Sequence, residues 1–147
     1  MLLLAFLPSP QTNAIDRLIP LGGMKKLKIL SMGRNNLKRI EKLDENAGTL
    51  EQLWVSYNSI SNLDGVLNLS KLTTLYLSNN QIKDIAEVAK LAGLPELRDV
   101  LFKGNPFYDS FDSPDACRQA IIKRLPQIGK LDGQLITQAE RDAANAS

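Results

Sequence analysis

The motif LxxLxLxxN occurs four times along this chain of 147 residues, and the repetition constrains the fold more than any other feature. The copies occupy residues 27–35, 50–58, 72–80 and 97–105, and a degenerate copy that ends at Asn13 precedes them. The asparagines, at positions 13, 35, 58, 80 and 105, are 22, 23, 22 and 25 residues apart. A fixed period of this kind indicates a solenoid, in which each copy packs against its neighbours.

The period lies in the range of leucine-rich repeats, and each part of the motif predicts one structural element. The LxL part predicts a short strand with its leucines toward the core, and the asparagine predicts a turn that its amide stabilises. Apolar pairs then follow at a three-residue step, which suits a 3₁₀ or helical return, and only residues 86–94 look long enough for a regular helix. We therefore expect an α/β fold: a leucine-rich-repeat solenoid with a parallel concave sheet, short helical or 3₁₀ convex returns and a helical C-terminal cap.

Three segments are expected along the chain. Residues 1–12 form an irregular N-terminal segment, because the repeat count places its apolar positions on residues 5, 8 and 10, two of which are prolines. Residues 13–133 form the repeat domain with its cap, whose helix begins at Ser113-Pro114. Residues 134–147 form a polar helical tail that projects from the body. The apolar start MLLLAFL is too short for a signal peptide, so it either covers the open end of the core or belongs to a shortened version of a longer protein.

The composition argues against catalysis and against nucleic-acid binding. The chain has no histidine and one cysteine, Cys117, which excludes histidine-based catalytic pairs and zinc sites and an intrachain disulfide. A net charge of +2 supplies no excess basicity for nucleic acid. No stretch is long and apolar enough to span a membrane. We expect a non-enzymatic protein without a cofactor or metal ion, from a reducing compartment.

Strand alternation predicts which side chains lie on the open face of the sheet. The sole tryptophan, Trp54, falls in a row with Ser31, Tyr76 and Leu101, and Arg34, Tyr57 and Lys103 fall near the rim. Trp, Tyr and Arg dominate the binding energy of protein–protein interfaces, and an exposed apolar patch marks a partner site. The face is therefore predicted to bind a protein. The alternatives are that Trp54 packs inward or that the chain's own tail covers the patch.

Several segments resemble the axonemal dynein light chain 1 family, the leucine-rich-repeat light chains of outer-arm dynein. They are LSMGRN at 30–35, LEQLWVSYN at 50–58, LYLSNNQI at 75–82, GNPFY at 104–108 and KRLPQIGKLDG at 123–133. The Trp-Val-Ser-Tyr-Asn strand is much more specific than the generic motif, and the resemblance covers about residues 12–141. Family members have a longer N-terminal segment with a helical cap and a further intact repeat, so the chain resembles an N-terminally shortened member.

The resemblance implies a non-catalytic light chain in the cytoplasm, on the cytoskeleton of the ciliary or flagellar axoneme. It implies docking on the dynein heavy chain motor near its microtubule-binding region, modulation of motility, and tubulin as a further contact. The chain would be a monomer within a larger complex, with neither nucleic acid nor membrane as a partner.

By position, the resemblance assigns heavy-chain contacts to Trp54, Tyr57, Tyr76 and Leu101, and Arg141 on the projecting tail is a further candidate. The alternative is another leucine-rich-repeat adaptor, such as a regulatory subunit of protein phosphatase 1 or a spliceosomal relative. Those proteins share the period and the cap but lack the Trp-Val-Ser-Tyr strand.

Overall fold

A computed structural model describes residues 2–5 and 15–146, and its main feature is a sheet whose strands are stacked in chain order. Strands β1 to β6 pair in parallel, and β7 pairs antiparallel with β6. The strands are β1 (Leu2–Ala5), β2 (Leu27–Ser31), β3 (Gln52–Trp54), β4 (Thr74–Tyr76), β5 (Asp99–Leu101), β6 (Lys130–Leu131) and β7 (Gln134–Leu135). The helices are α1 (Ile85–Ala89), α2 (Pro114–Arg124) and α3 (Gln138–Ala146). This architecture confirms the predicted α/β solenoid.

The core lies between the sheet and the returns, because every copy of the motif turns its apolar positions to the same side. Strands β2 to β5 of the four intact copies align residue for residue, so that Leu30, Leu53, Leu75 and Val100 form one buried row. The returns include 3₁₀ helices at Asp44–Asn46 and Asp64–Val66, as the apolar spacing predicts. The predicted helix over 86–94 is present, but its second half is the 3₁₀ helix Lys90–Gly93.

The motif asparagines form a buried hydrogen-bonded ladder, which confirms their predicted structural role. The side-chain Nδ2 of Asn80 donates to the carbonyls of Val55 and Leu77 at 3.1 and 3.0 Å, and its Oδ1 accepts from the Ile60 amide at 3.0 Å. One side chain therefore ties its own strand to the preceding copy. Bonds of the same kind are made by Asn58 and Asn105. Asn13 lies outside the described residues.

The first strand differs from the position that the repeat count predicts. Its pairing with β2 sets Leu4 opposite Leu30, with a register shift between the first two residues of β1. The strand therefore lies on the N-terminal side of the two prolines rather than across them. The physical reason is that proline lacks an N–H group for the ladder, whereas residues 2–5 each carry one. The rest of the predicted irregular segment, residues 1 and 6–12, lies outside the described residues.

The C-terminal cap begins where the sequence predicts. Ser113 accepts a hydrogen bond from the Ala116 amide at 3.1 Å, and Pro114 occupies the first turn of α2. The helix buries Cys117, Ile121 and Ile122 against the last repeat. Burial in this apolar setting raises the pKa of the Cys117 thiol to about 11, so the thiol stays protonated near neutral pH.

The prediction that the C-terminal tail projects from the body is wrong. Helix α3 packs against α2, and its Ala144 is 1% exposed. The Arg118 guanidinium binds Glu140 at 2.7 Å, and Arg141 donates to the Pro126 and Ile128 carbonyls at 3.0 and 2.7 Å. Charged side chains that bond to the cap thus replace the apolar anchors that the tail lacks. The division of the chain at residues 12 and 133 stays a prediction.

The ladder predicts a large loss of stability for Asn80→Ala. The change leaves the buried Ile60 amide without a partner, and the Val55 and Leu77 carbonyls each lose one of the two asparagine hydrogen bonds that they accept. We expect the free energy of unfolding to fall by about 3 kcal/mol. Urea denaturation measures the loss. The control Asn68→Ala removes an exposed amide that bonds to Asp44, and it should change stability by less than about 0.5 kcal/mol. Equal effects of the two variants would contradict the ladder's role.

The docking of α3 predicts a pH-dependent contribution from Glu140. Hydrogen bonds from Arg118 lower the pKa of Glu140, so its contribution is present above the pKa of the unfolded chain and disappears as the pH falls through the lowered pKa. We expect Glu140→Gln to lose about 1 kcal/mol of stability at pH 7 and nothing at about pH 2.5. Urea denaturation at both pH values tests this. The matched change Asp112→Asn, at an exposed residue, should have little effect at either pH, and a loss at Glu140 that is independent of pH would contradict the argument.

Candidate protein-binding face

The sheet face opposite the core presents the row of side chains that strand alternation predicts. Backbone pairing sets Ser31 beside Trp54, Trp54 beside Tyr76, and Tyr76 beside Leu101. A parallel row beside it contains Ile29, Gln52, Thr74 and Asp99. We call these two rows, together with the rim residues Arg34, Tyr57 and Lys103, the concave face.

Trp54 points outward, as predicted, and it is held in place by its neighbours. Its side chain is 37% exposed, so the alternative that it packs into the core is wrong. The indole stacks on the Tyr76 ring, with centroids 5.9 Å apart and planes at 21°, and its Nε1 donates to Gln52 at 3.2 Å. The centre of the face is therefore a pair of fixed aromatic rings.

The hydroxyl of Tyr76 is fixed by a hydrogen bond to a carboxylate on the same face. The Tyr76 hydroxyl donates to Oδ2 of Asp99 at 3.0 Å, while Oδ1 of Asp99 is buried without a hydrogen-bond partner in the described structure. Burial, and then the bond to Asp99, raises the pKa of Tyr76 above its usual range. The neutral phenol beside Trp54 is therefore held in one orientation by Asp99.

The rim carries a second aromatic contact. The Arg34 guanidinium carbon lies 4.4 Å from the centroid of the Tyr57 ring, which is the geometry of a cation–π pair. Tyr57 is 48% exposed, and both residues have positive φ angles, 58° for Arg34 and 60° for Tyr57. Each immediately precedes a motif asparagine, so the turn that the asparagine forms directs both side chains toward the rim.

A groove of about 720 Å³ adjoins the face where the last repeat meets the cap, and the sequence analysis did not find it. Leu101, Lys103 and Asp109 lie along it, with Asp132 in its wall. The Asp132 carboxylate accepts hydrogen bonds from the Phe102 and Lys103 amides at 2.8 and 3.0 Å. In the preceding copy, the amide equivalent to that of Phe102, from Leu77, instead donates to a carbonyl of the next strand. The available signal was the Asp-Gly pair at 132–133, which forms the tight turn between β6 and β7.

The structure brings together six of the seven residues that the sequence analysis singled out. Trp54, Tyr76 and Leu101 share one row, and Arg34, Tyr57 and Lys103 lie at its rim. Arg141 does not join them, because it lies on α3 with its guanidinium bonded to carbonyls of the cap. Contact of any of the seven with a partner stays a prediction.

The described residues show neither a metal site nor a membrane-spanning helix. None of the helices over residues 15–146 combines the length and the apolar character that crossing a bilayer requires. In the same part of the chain, no group of three or more Cys, Asp or Glu side chains is arranged to hold a metal ion.

Stacked parallel strands, a buried asparagine ladder and a terminal cap define a leucine-rich-repeat protein. The model of the NXF1/2/3/5 leucine-rich repeat domain matches residues 43–133. A solved chain from the Drosophila melanogaster SNF/U2A' complex shares the fold, with a TM-score of 0.76 and 22% identity over 90% of this chain and 75% of that one.

Curated relatives identify the family more closely. The chain is 46% identical to dynein axonemal light chain 1 of Chlamydomonas reinhardtii over 139 residues, which cover 92% of this chain and 70% of the relative. It is 42% identical to the human protein of the same name over 137 residues, which cover 93% of this chain and 72% of the relative. The chain therefore belongs to the axonemal dynein light chain 1 family, as the strand residues around Trp54 indicate.

The exposure of Trp54 predicts a small effect of Trp54→Ala on folding. The change removes an exposed ring and its stack on Tyr76, so the free energy of unfolding should fall by less than about 1.5 kcal/mol. The control Phe102→Ala removes a fully buried ring and should cost about 3–5 kcal/mol. Chemical denaturation of both variants makes the comparison, and a loss at Trp54 as large as that at Phe102 would remove it from the open face.

Proposed function

We propose that this protein is a non-catalytic light chain of ciliary or flagellar outer-arm dynein whose concave face docks on the dynein heavy chain near its microtubule-binding region. The observation that carries the proposal is the exposed Trp54–Tyr76 stack at the centre of the face. The class of partner comes from the relatives, which are named as dynein axonemal light chains. The axoneme is the corresponding location.

The face suits protein binding because its aromatic side chains are already ordered. Trp54 is held by Tyr76 and Gln52, and Tyr76 is held by Asp99. Association then loses little side-chain entropy, which is one of the main costs of forming an interface. Large rings at the centre with charged residues at the rim match the usual distribution of binding energy in protein interfaces.

The light chain would modulate motility as a rigid attachment rather than as a catalyst. A bound light chain changes the relative populations of two motor conformations only if it binds one of them more tightly than the other. A light chain that docks near the microtubule-binding region would contact the part of the motor that changes conformation when it binds or releases the filament. Contact with tubulin, and a single copy of the chain within the dynein complex, are parts of the same proposal.

The proposal predicts that Trp54→Ala weakens binding to a purified outer-arm heavy chain motor domain by about 30-fold or more, the effect expected at an interface hot spot. Titration by fluorescence anisotropy or calorimetry measures the affinity. The matched control Leu67→Ala removes another exposed apolar side chain, 38% exposed on the convex return after β3, and should leave the affinity unchanged.

Two results would contradict the proposal. The first is failure of the folded parent chain to bind the heavy chain. The second is equal affinity of the parent and the Trp54→Ala variant, which would exclude the face as the docking site. Recovery of a phosphatase or of splicing proteins from ciliary extract in place of dynein would instead favour a different leucine-rich-repeat adaptor.

A further inference from the structure

The residue before each ladder asparagine has a left-handed backbone in all four described copies. The φ angles are 58° at Arg34, 60° at Tyr57, 57° at Asn79 and 90° at Gly104. Asparagine and glycine tolerate this region, whereas a residue with a bulky side chain is strained there. The third and fourth copies thus contain residue types that suit the turn, and the first and second copies do not.

Folding alone explains the choice of asparagine and glycine in the third and fourth copies. It does not explain Arg34 and Tyr57, whose side chains are strained by the left-handed backbone. A Cβ atom at Gly104 would lie 2.4 Å from Oδ1 of Asn79, so close packing as well as the φ angle requires glycine there. By contrast, the side chains of Arg34 and Tyr57 are exposed and contact each other. Within residues 15–146 they make no side-chain hydrogen bond or ion pair. Asparagine at both positions would serve folding better, because an exposed cation–π pair contributes less than two left-handed bulky residues cost.

The charged side chains of the concave face that make neither an ion pair nor a side-chain hydrogen bond within the described residues are positive. Its acidic residue Asp99 accepts from Tyr76, and Glu51, which precedes Gln52 in the chain, binds Lys28 at 2.9 Å. Arg34 and Lys103 have no carboxylate within ion-pair distance in the described part of the chain. The surface therefore presents unpaired positive charge beside exposed aromatic rings, which complements an acidic and apolar partner.

We infer that Arg34 and Tyr57 form a recognition site for a carboxylate side chain of the partner protein, retained at the expense of fold stability. A guanidinium that stacks on a ring keeps its N–H groups free at the edge, where they fit a carboxylate in bidentate geometry. The exposed rings of Tyr57 and Trp54, which belong to the same repeat, would take an apolar residue of the same partner segment. The inference rests on the proposed function, since the partner segment belongs to the heavy chain.

The double variant Arg34→Asn/Tyr57→Asn, which copies Asn79 into both strained positions, tests the inference directly. We expect its melting temperature to rise by about 3 °C as the backbone strain is relieved. Its affinity for the purified heavy chain motor domain should fall by about 30-fold or more. The control Leu67→Ala, on the convex side, should leave the affinity unchanged.

The single variant Arg34→Gln tests the chemistry of the partner group. Without the charge, we expect about a 10-fold loss of affinity at low salt and a weaker dependence of affinity on salt than in the parent. Arg34→Lys keeps the charge but not the bidentate geometry, so its affinity should lie between those of the parent and Arg34→Gln. A salt dependence equal to that of the parent in Arg34→Gln would overturn the assignment of a carboxylate.

The remaining outcomes are also decisive. A double variant that binds as tightly as the parent, or melts at the same or a lower temperature, overturns the inference and leaves the proposed function in place. If the folded parent chain does not bind the motor domain, the proposed function fails, and the inference fails with it. Opposite changes in stability and affinity, together with the altered salt dependence, support the inference.

Discussion

The buried amide of the motif asparagine is the interaction on which the rest of the structure depends. In the described copies, each one bonds to backbone groups of its own copy and of the copy before it, as Asn80 does with Leu77, Val55 and Ile60. These bonds hold successive strands in one register. Register then decides which side chains share a row, because a shift of one residue would exchange the two faces of the sheet. The buried hydrogen bonds of the asparagines therefore also keep Trp54 aligned with Tyr76 on the open face of the sheet.

The C-terminal end shows how a ladder of this kind is closed. After β5 the following strand is only two residues long, and the chain reverses through Asp132 and Gly133. The Asp132 carboxylate then accepts from the Phe102 amide, which another strand would have bound, and from the Lys103 amide, and α2 and α3 cover the apolar end. The groove beside the concave face results from this closure. Termination of the fold and the shape of the candidate interface therefore have a common origin.

Much of the fold, and the central row of the face, could be predicted from the sequence because both follow from periodicity. A 22-residue period and a two-residue alternation place Trp54 and Tyr76 without any knowledge of tertiary contacts. The docking of α3 could not be predicted in this way, since Arg118 and Arg141 anchor it through groups far away in the chain. The position of β1 depends on which residues can donate hydrogen bonds. The left-handed backbone at Tyr57 is a local conformation that the apolar pattern does not encode.

Site-specific photo-crosslinking tests the central claim, that the concave face is the surface that docks on the heavy chain, most directly. A photoreactive amino acid is placed at Lys103 on the concave rim or at Leu67 on the opposite, convex side, and both positions are exposed. Each chain is then irradiated in complex with the purified outer-arm heavy chain. The account predicts a crosslink to the heavy chain from position 103 and none from position 67. A crosslink from position 67 with none from position 103 would contradict it.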